Sequence, residues 1–303
     1  MSVFIIAEAG SNHCGVYDKA VNMVVEAAKA GADAIKFQTF SPEEIAANNV
    51  LVPRGTDLEH DKWLDSHKVK YLRDLFHSGL PREWHKELKH IAADNNIEFI
   101  STPFSVDAAK FLIEEIGVST MKIASGDITF KPLLEYVNKN IIRVILSTGC
   151  SYFLEVEQAV NLLSNIYKRD MLSILHCVSV YPCDKHEVNL NSIHLLNRHF
   201  KIANIGFSDH TTSISSIPVL AVAAGAQIIE KHFNIDENGI DNPHSITPQM
   251  FKEMVNSIRD TEKIMGDFVK KPHKKEMHDR LWARRSETDW LRPTEEARLG
   301  MWE

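Results

Sequence analysis

Cysteine is scarce in this chain. Four occur among 303 residues, Cys14, Cys150, Cys177 and Cys183, and no two form a C-x-x-C pair. A zinc ribbon therefore has no ligands, and a reduced, cytoplasmic protein is the expectation. Long apolar runs are also missing: none approaches the ~20 residues that a membrane span needs. The opening "MSVFIIAEAG" has no basic segment before its apolar run, which Glu8 interrupts, so it does not read as a signal peptide. Nor is there a large surplus of one charge. A net charge of −7 argues against nucleic-acid binding but leaves an anionic substrate open, because local lysines decide that. No G-x-G-x-x-G follows the first apolar run, which removes the usual mark of a dinucleotide-binding open sheet.

What remains is 44% hydrophobic and 25% charged, a balance that fits a chain able to bury a core. Short apolar runs recur, each ending in small or polar residues: 3–10, 33–40, 97–104, 119–127, 143–149, 172–182, 204–211 and 227–236, eight in all. Between them lie stretches with apolar residues three and four apart, as at 18–30, 82–94, 105–116, 153–166 and 249–265. Strands alternating with helices predict parallel βα units. Eight such units in ~250 residues predict an α/β fold, a (β/α)8 TIM barrel. "AAKAGADAIKFQTF" (27–40) is echoed by "AVAAGAQIIEKHFNI" (221–235), each with a glycine where a helix would end.

Two segments break the rhythm. Residues 41–80 form a long loop after strand 2, rich in charge and containing Trp63, with a short helix expected at 68–77. It reads either as a wall of the substrate pocket or as a solvated excursion, with His60, His67 and His77 at the surface. The barrel is expected to span 1–268. Residues 269–303 form a charged C-terminal tail carrying Trp282, Trp290 and Trp302, which packs on the barrel or on a partner subunit.

Active sites of such barrels lie at the C-terminal ends of the strands. Here those ends carry Glu8; Lys36 and Gln38; Thr102; Lys122, Ser125 and Asp127; Ser147 and Thr148; His176, Ser179 and Tyr181; Ser208, Asp209 and His210; Glu230 and His232. Lys36 and Lys122 stand in otherwise apolar strands. A buried cation there must bind an anion, helped by Ser125, Ser147 and Ser208, or pair structurally with Glu8, Asp127 or Glu230. His210 and His232 end neighbouring strands, about 4.8 Å apart, so they can share a metal. Two imidazoles with oxygen co-ligands suit Mn²⁺ or Mg²⁺ better than structural zinc, with Asp209 holding an imidazole from behind. A buried histidine that binds nothing is the plain alternative.

The motifs "IIAEAGSNHCG", "AGADAIKFQTF", "FISTPFS", "MKIASGD", "ILSTG", "LHCVSVYP", "GFSDHT", "EKHF" and "GIDNP" occur in an order that resembles the sialic acid synthase family. The resemblance runs over about residues 3–265. It implies condensation of phosphoenolpyruvate with an open-chain aldehyde sugar of the N-acyl mannosamine type, giving a 2-keto sugar acid and phosphate. It makes His210 and His232 the metal ligands, and places Lys36, Lys122, Ser125, Ser147, Ser179 and Ser208 on phosphoenolpyruvate. Gln38, Tyr181 and Asp241 would face the sugar, with Glu8 and Asp127 as catalytic carboxylates. Asp127 stands where the family usually has Glu, and Ser179 where some members have Asn. The family's C-terminal antifreeze-like domain is expected to be absent after the "ARRS" segment, Ala283–Ser286, so that either a homodimer or a partner protein replaces it, or the substrate differs, or the site is more open. The competing expectations are a lyase forming a Schiff base at Lys36 or Lys122, and a phosphoenolpyruvate-binding barrel without turnover.

Overall fold

The computed structural model describes residues 2–52, 62, 65, 68–75, 79–141, 143–164 and 171–301. Trp63, His60, His67, His77 and Trp302 lie outside them. Eight parallel strands close in sequence order: β1 Phe4–Gly10, β2 Ala34–Thr39, β3 Glu98–Pro103, β4 Thr120–Ile123, β5 Arg143–Ser147, β6 Leu172–Cys177, β7 Asn204–Asp209 and β8 Ile228–His232, with β8 returning to β1. This is the expected (β/α)8 barrel. Each strand is buried almost throughout, which is why the runs read as continuously apolar rather than alternating.

Helices fill the gaps where the three-and-four spacing predicts them, among them Tyr17–Lys29, His85–Asp94, Phe153–Ser164 and Pro248–Met265. The predicted helix 105–116 begins as α at Val106–Lys110, capped by the Ser105 hydroxyl, and widens to a π turn over Phe111–Ile116. The echoed glycines, Gly31 and Gly225, have φ of 89° and 102°, the left-handed exit that a side chain resists. In the loop after β2, the short helix Pro42–Ile45 is joined by a 3-10 turn at Leu72–Leu75 in place of the longer helix expected there.

The chain divides into two compact units, 1–264 and 265–303. Within the second, the linker between helices Glu276–Ala283 and Glu295–Arg298 is tied to the latter by a bidentate Arg298–Asp289 pair and by the buried Ser286 hydroxyl, which donates to Glu295, and Thr294 N donates 3.1 Å back to Leu281 O. Trp282 and Trp290 are exposed.

Strand parity sorts the side chains into two sets. Outward residues such as Ile5, Ile35, Phe37, Met121, Val144, Ile174, Phe207 and Ile229 join the main core beneath the helices. Inward residues Ile6, Ala34, Ile100, Ile145, Leu175 and Ile228 form a separate apolar plug. Two residues further along the same strands stand Glu8, Lys36, Thr102, Ser147, Cys177 and Glu230. The period of two thus lifts a polar layer directly above the plug.

Parity also corrects the reading of Asp209. It points outward, with no exposed surface, and accepts 2.9 Å from Lys231 Nζ; its other oxygen accepts from Thr211 N at 2.8 Å. It therefore holds no imidazole. His176 likewise faces out, Nε2 donating 2.7 Å to Val188 O. Breaking a sealed ion pair leaves one charge buried alone. Asp209→Ala should lose about 3–5 kcal/mol in urea unfolding, and Asp209→Leu/Lys231→Met should recover most of it. A single-variant loss below about 1 kcal/mol would show that the pair is not sealed.

Candidate active site

The polar layer floors a cavity of about 230 Å³ at the C-terminal end of the barrel. Glu8, Lys36 and Gln38 reach it from β1 and β2, Lys122 from β4, Ser147 from β5, Ser208 and Glu230 from β7 and β8. Ser125, Ser179, Tyr181, His210, His232 and Asp241 line it from the strand ends and following loops. Of the strand-end residues singled out from sequence, Thr148, His176 and Asp209 are not in the lining, and neither is Asp127. It follows β4 on the 3-10 turn Ser125–Asp127, which swings it behind Ser125 and Gly126.

Glu230 organises the floor. Its Oε1 accepts from Lys122 Nζ at 3.1 Å and from Ser208 Oγ at 3.0 Å, and Oε2 lies 3.7 Å from Lys36 Nζ. Lys36 also pairs closely with Glu8, whose other oxygen accepts 2.9 Å from Gln38 Nε2. Burial favours the protonated form of Glu230, but Lys122 and Lys36 outweigh it and hold the carboxyl at about 2. Glu8 moves the other way, because its desolvation exceeds the pull of Lys36. Lys36 stays protonated above its ordinary range: burial opposes the charge, yet Glu230 and Glu8 prevail. Lys122 is lowered, burial winning over Glu230. Both lysines thus have carboxylate partners, and the formal charges of the four groups cancel.

The imidazoles stand at the rim. His210 Nδ1 donates 2.6 Å to Val178 O, which fixes the tautomer and leaves Nε2 as an acceptor, 3.4 Å from Ser208 Oγ. Burial lowers His210 to about 4 and holds His232 well below its ordinary range, so both are neutral at pH 7. Their ring centroids are 5.5 Å apart, and Tyr181 packs 4.3 Å from His210. A neutral imidazole with an acceptor nitrogen is a metal ligand, so the chemistry of these donors suits a divalent cation.

Sequence reasoning passed over three further residues. Glu230 was offered only as a lysine partner, although it stands two positions before His232 on the inward face. Cys177 lines the cavity, and Ser125 Oγ lies 3.2 Å from its Sγ. His244, from the loop after β8, forms with His232 and Asp241 a set of donor atoms all within 4.8 Å of one another. No periodicity marks a loop residue, so only the imidazole itself two places after Asn242 signalled it.

Asp127 has one carboxylate oxygen buried without a hydrogen-bond partner, and burial raises its pKa to about 6. A raised carboxyl favours the folded state while protonated and burdens it once ionised, so the penalty appears as pH rises from about 4 through 6. Asp127→Asn should therefore stabilise the protein by about 1–3 kcal/mol at pH 8 and leave it unchanged near pH 4. Equal stability of the two proteins in urea titrations at both pH values would refute the burial.

Comparison with known proteins places this arrangement. The chain is 39% identical over 275 residues to the N,N'-diacetyllegionaminic acid synthase of Campylobacter jejuni, covering 90% of this chain and 80% of that one. It is 33% identical over 292 residues to the pseudaminic acid synthase of the same species, covering 93% and 80%. The N-acetylneuraminic acid synthetase of Leptospira borgpetersenii, solved with citrate, superposes with a TM-score of 0.78 at 36% identity, over 92% of this chain and 90% of that one. Residues 23–270 match the model of the NeuB family, and with the barrel and its rim in view the chain belongs to that family.

Proposed function

We propose that this protein condenses phosphoenolpyruvate with the open-chain aldehyde of an N-acyl mannosamine-type sugar, releasing phosphate and a 2-keto sugar acid. C3 of phosphoenolpyruvate bonds to the aldehyde carbon, whose oxygen takes up a proton. Water adds at C2, and the C–O bond to phosphate breaks. The observation that carries this reading is the meeting, in one cavity, of Lys36, Lys122 and four serine hydroxyls with His210 and His232. The family relationship supports it independently.

Lys36 and Lys122, with Ser125, Ser147, Ser179 and Ser208, hold the phosphate and carboxylate of phosphoenolpyruvate. Ser125 is itself oriented, because Gly149 N donates 2.9 Å to its Oγ. Gln38, Tyr181 and Asp241 face the sugar. Glu8, with its proton affinity raised, can hold a proton on that side. Asp127, on the 3-10 turn with Ser125 and raised by burial to about 6, is the second carboxyl able to exchange a proton. His210 and His232 would hold a divalent cation such as Mn²⁺ or Mg²⁺. Bound there, the ion supplies Lewis-acid polarisation of the aldehyde oxygen. Among the described residues no helix is long and apolar enough to cross a membrane.

A coupled phosphate-release assay with Mn²⁺ tests the reading. Release should require phosphoenolpyruvate and an N-acyl hexosamine together, and Lys122→Met should lower kcat/KM by about 10²-fold or more, the scale of losing a preorganised charge contact. Release from phosphoenolpyruvate alone, or borohydride trapping of a keto acid on a lysine, would overturn it in favour of lyase chemistry.

A further inference from the structure

After β6 the chain passes between two cavities. Cys177, Ser179 and Tyr181 line the active-site cavity, whereas Val178 and Val180 line a groove of about 600 Å³ outside the barrel. The alternation makes this stretch a thin partition. Ser179 is half-buried and borders both spaces, so packing alone does not fix its hydroxyl toward the cavity. A binding group needs a neighbour that locks it.

Gly149, in the loop after β5, closes on the partition. A Cβ at Gly149 would lie 2.0 Å from Ser179 Oγ and 3.0 Å from both Cys177 Sγ and Ser125 Oγ. These atoms end short side chains in a close-packed corner, which leaves them little room to yield. Gly149 has no positive φ, so the requirement for glycine is one of space. Its N–H donates 2.9 Å to Ser125 Oγ, whose other neighbour is Cys177 Sγ, 3.2 Å away. With that N–H aimed at its oxygen, the Ser125 hydroxyl keeps its proton to give, to the thiol or to an anion. The loop itself is pinned. Thr148 N and Oγ1 donate 3.1 and 2.9 Å to Leu175 O, and Ser151 Oγ donates 2.9 Å to Gly149 O.

We infer that Gly149 is a positioning residue of the anion pocket: its N–H orients the Ser125 hydroxyl, and its missing side chain admits that of Ser179. The inference rests on the reading of this cavity as the phosphoenolpyruvate site. It gives a task to the glycine of the "ILSTG" motif, which does not itself line the cavity.

Steady-state kinetics with Mn²⁺, together with calorimetric titration of phosphoenolpyruvate, test it. Gly149→Ala should raise KM for phosphoenolpyruvate about tenfold or more, the scale of one hydrogen bond to a charged group, and change KM for the N-acyl hexosamine less than about twofold. A variant that only folded less well would lose kcat and keep both KM values, and that result would overturn the inference. Ser179→Ala removes the atom nearest the new Cβ. The double variant Gly149→Ala/Ser179→Ala should therefore bind phosphoenolpyruvate within about threefold of Ser179→Ala alone. A double variant weaker than that, or a Gly149→Ala protein with wild-type KM, contradicts the assignment while leaving the reading of the cavity intact. Wild-type protein that binds no phosphoenolpyruvate overturns that reading, and the inference with it.

Discussion

Two lysines and two glutamates share the floor of this barrel, and the rest of the site depends on how they compensate one another. Lys122 and Ser208 converge on Glu230, while Lys36 bridges Glu230 and Glu8. Desolvating four charges is expensive, and such a cluster survives only when each member has its partners. Here Glu8, Lys36 and Glu230 each stand two positions beyond a residue of the apolar plug, Ile6, Ala34 and Ile228, and Lys122 joins them from β4, where it pairs with Ile145. The plug keeps water out from below, and the closed sheet fixes the register. Those constraints turn flexible lysines into fixed points of charge.

Compensation has a consequence for chemistry. A floor whose formal charges already cancel does not by itself attract a phosphorylated carboxylate. It offers directed N–H and O–H groups, and the net positive charge must come from elsewhere. The rim supplies a place for it: neutral imidazoles at His210, His232 and His244, each held uncharged by burial, the last lowered to about 3. A neutral imidazole contributes no charge of its own but can hold an ion that does. Floor and rim are therefore parts of one electrostatic arrangement.

Most of the fold was legible in the sequence. The eight runs and the intervening helical spacing carry their own period, and Gly31 and Gly225 mark the returns. Within strands the site was legible for the same reason: Glu8, Lys36, Gln38, Lys122 and Ser147 fall on the inward parity. At strand ends parity alone could not decide. Asp209 and His210 are neighbours, and only the register with β8 shows that Asp209 meets Lys231 behind the sheet while His210 meets the cavity. Asp127 was misplaced as a strand-end residue because a 3-10 turn bends the chain after Ile123. His244 lies on an irregular loop, where spacing says nothing about which side chains meet.

The central claim is that a charge-compensated floor binds its anion only with a cation at the rim. Calorimetric titration of phosphoenolpyruvate, with and without Mn²⁺, measures that coupling directly. The account predicts affinity at least about tenfold higher with Mn²⁺, a coupling of roughly 1.4 kcal/mol or more. Equal affinity in the two titrations would contradict it.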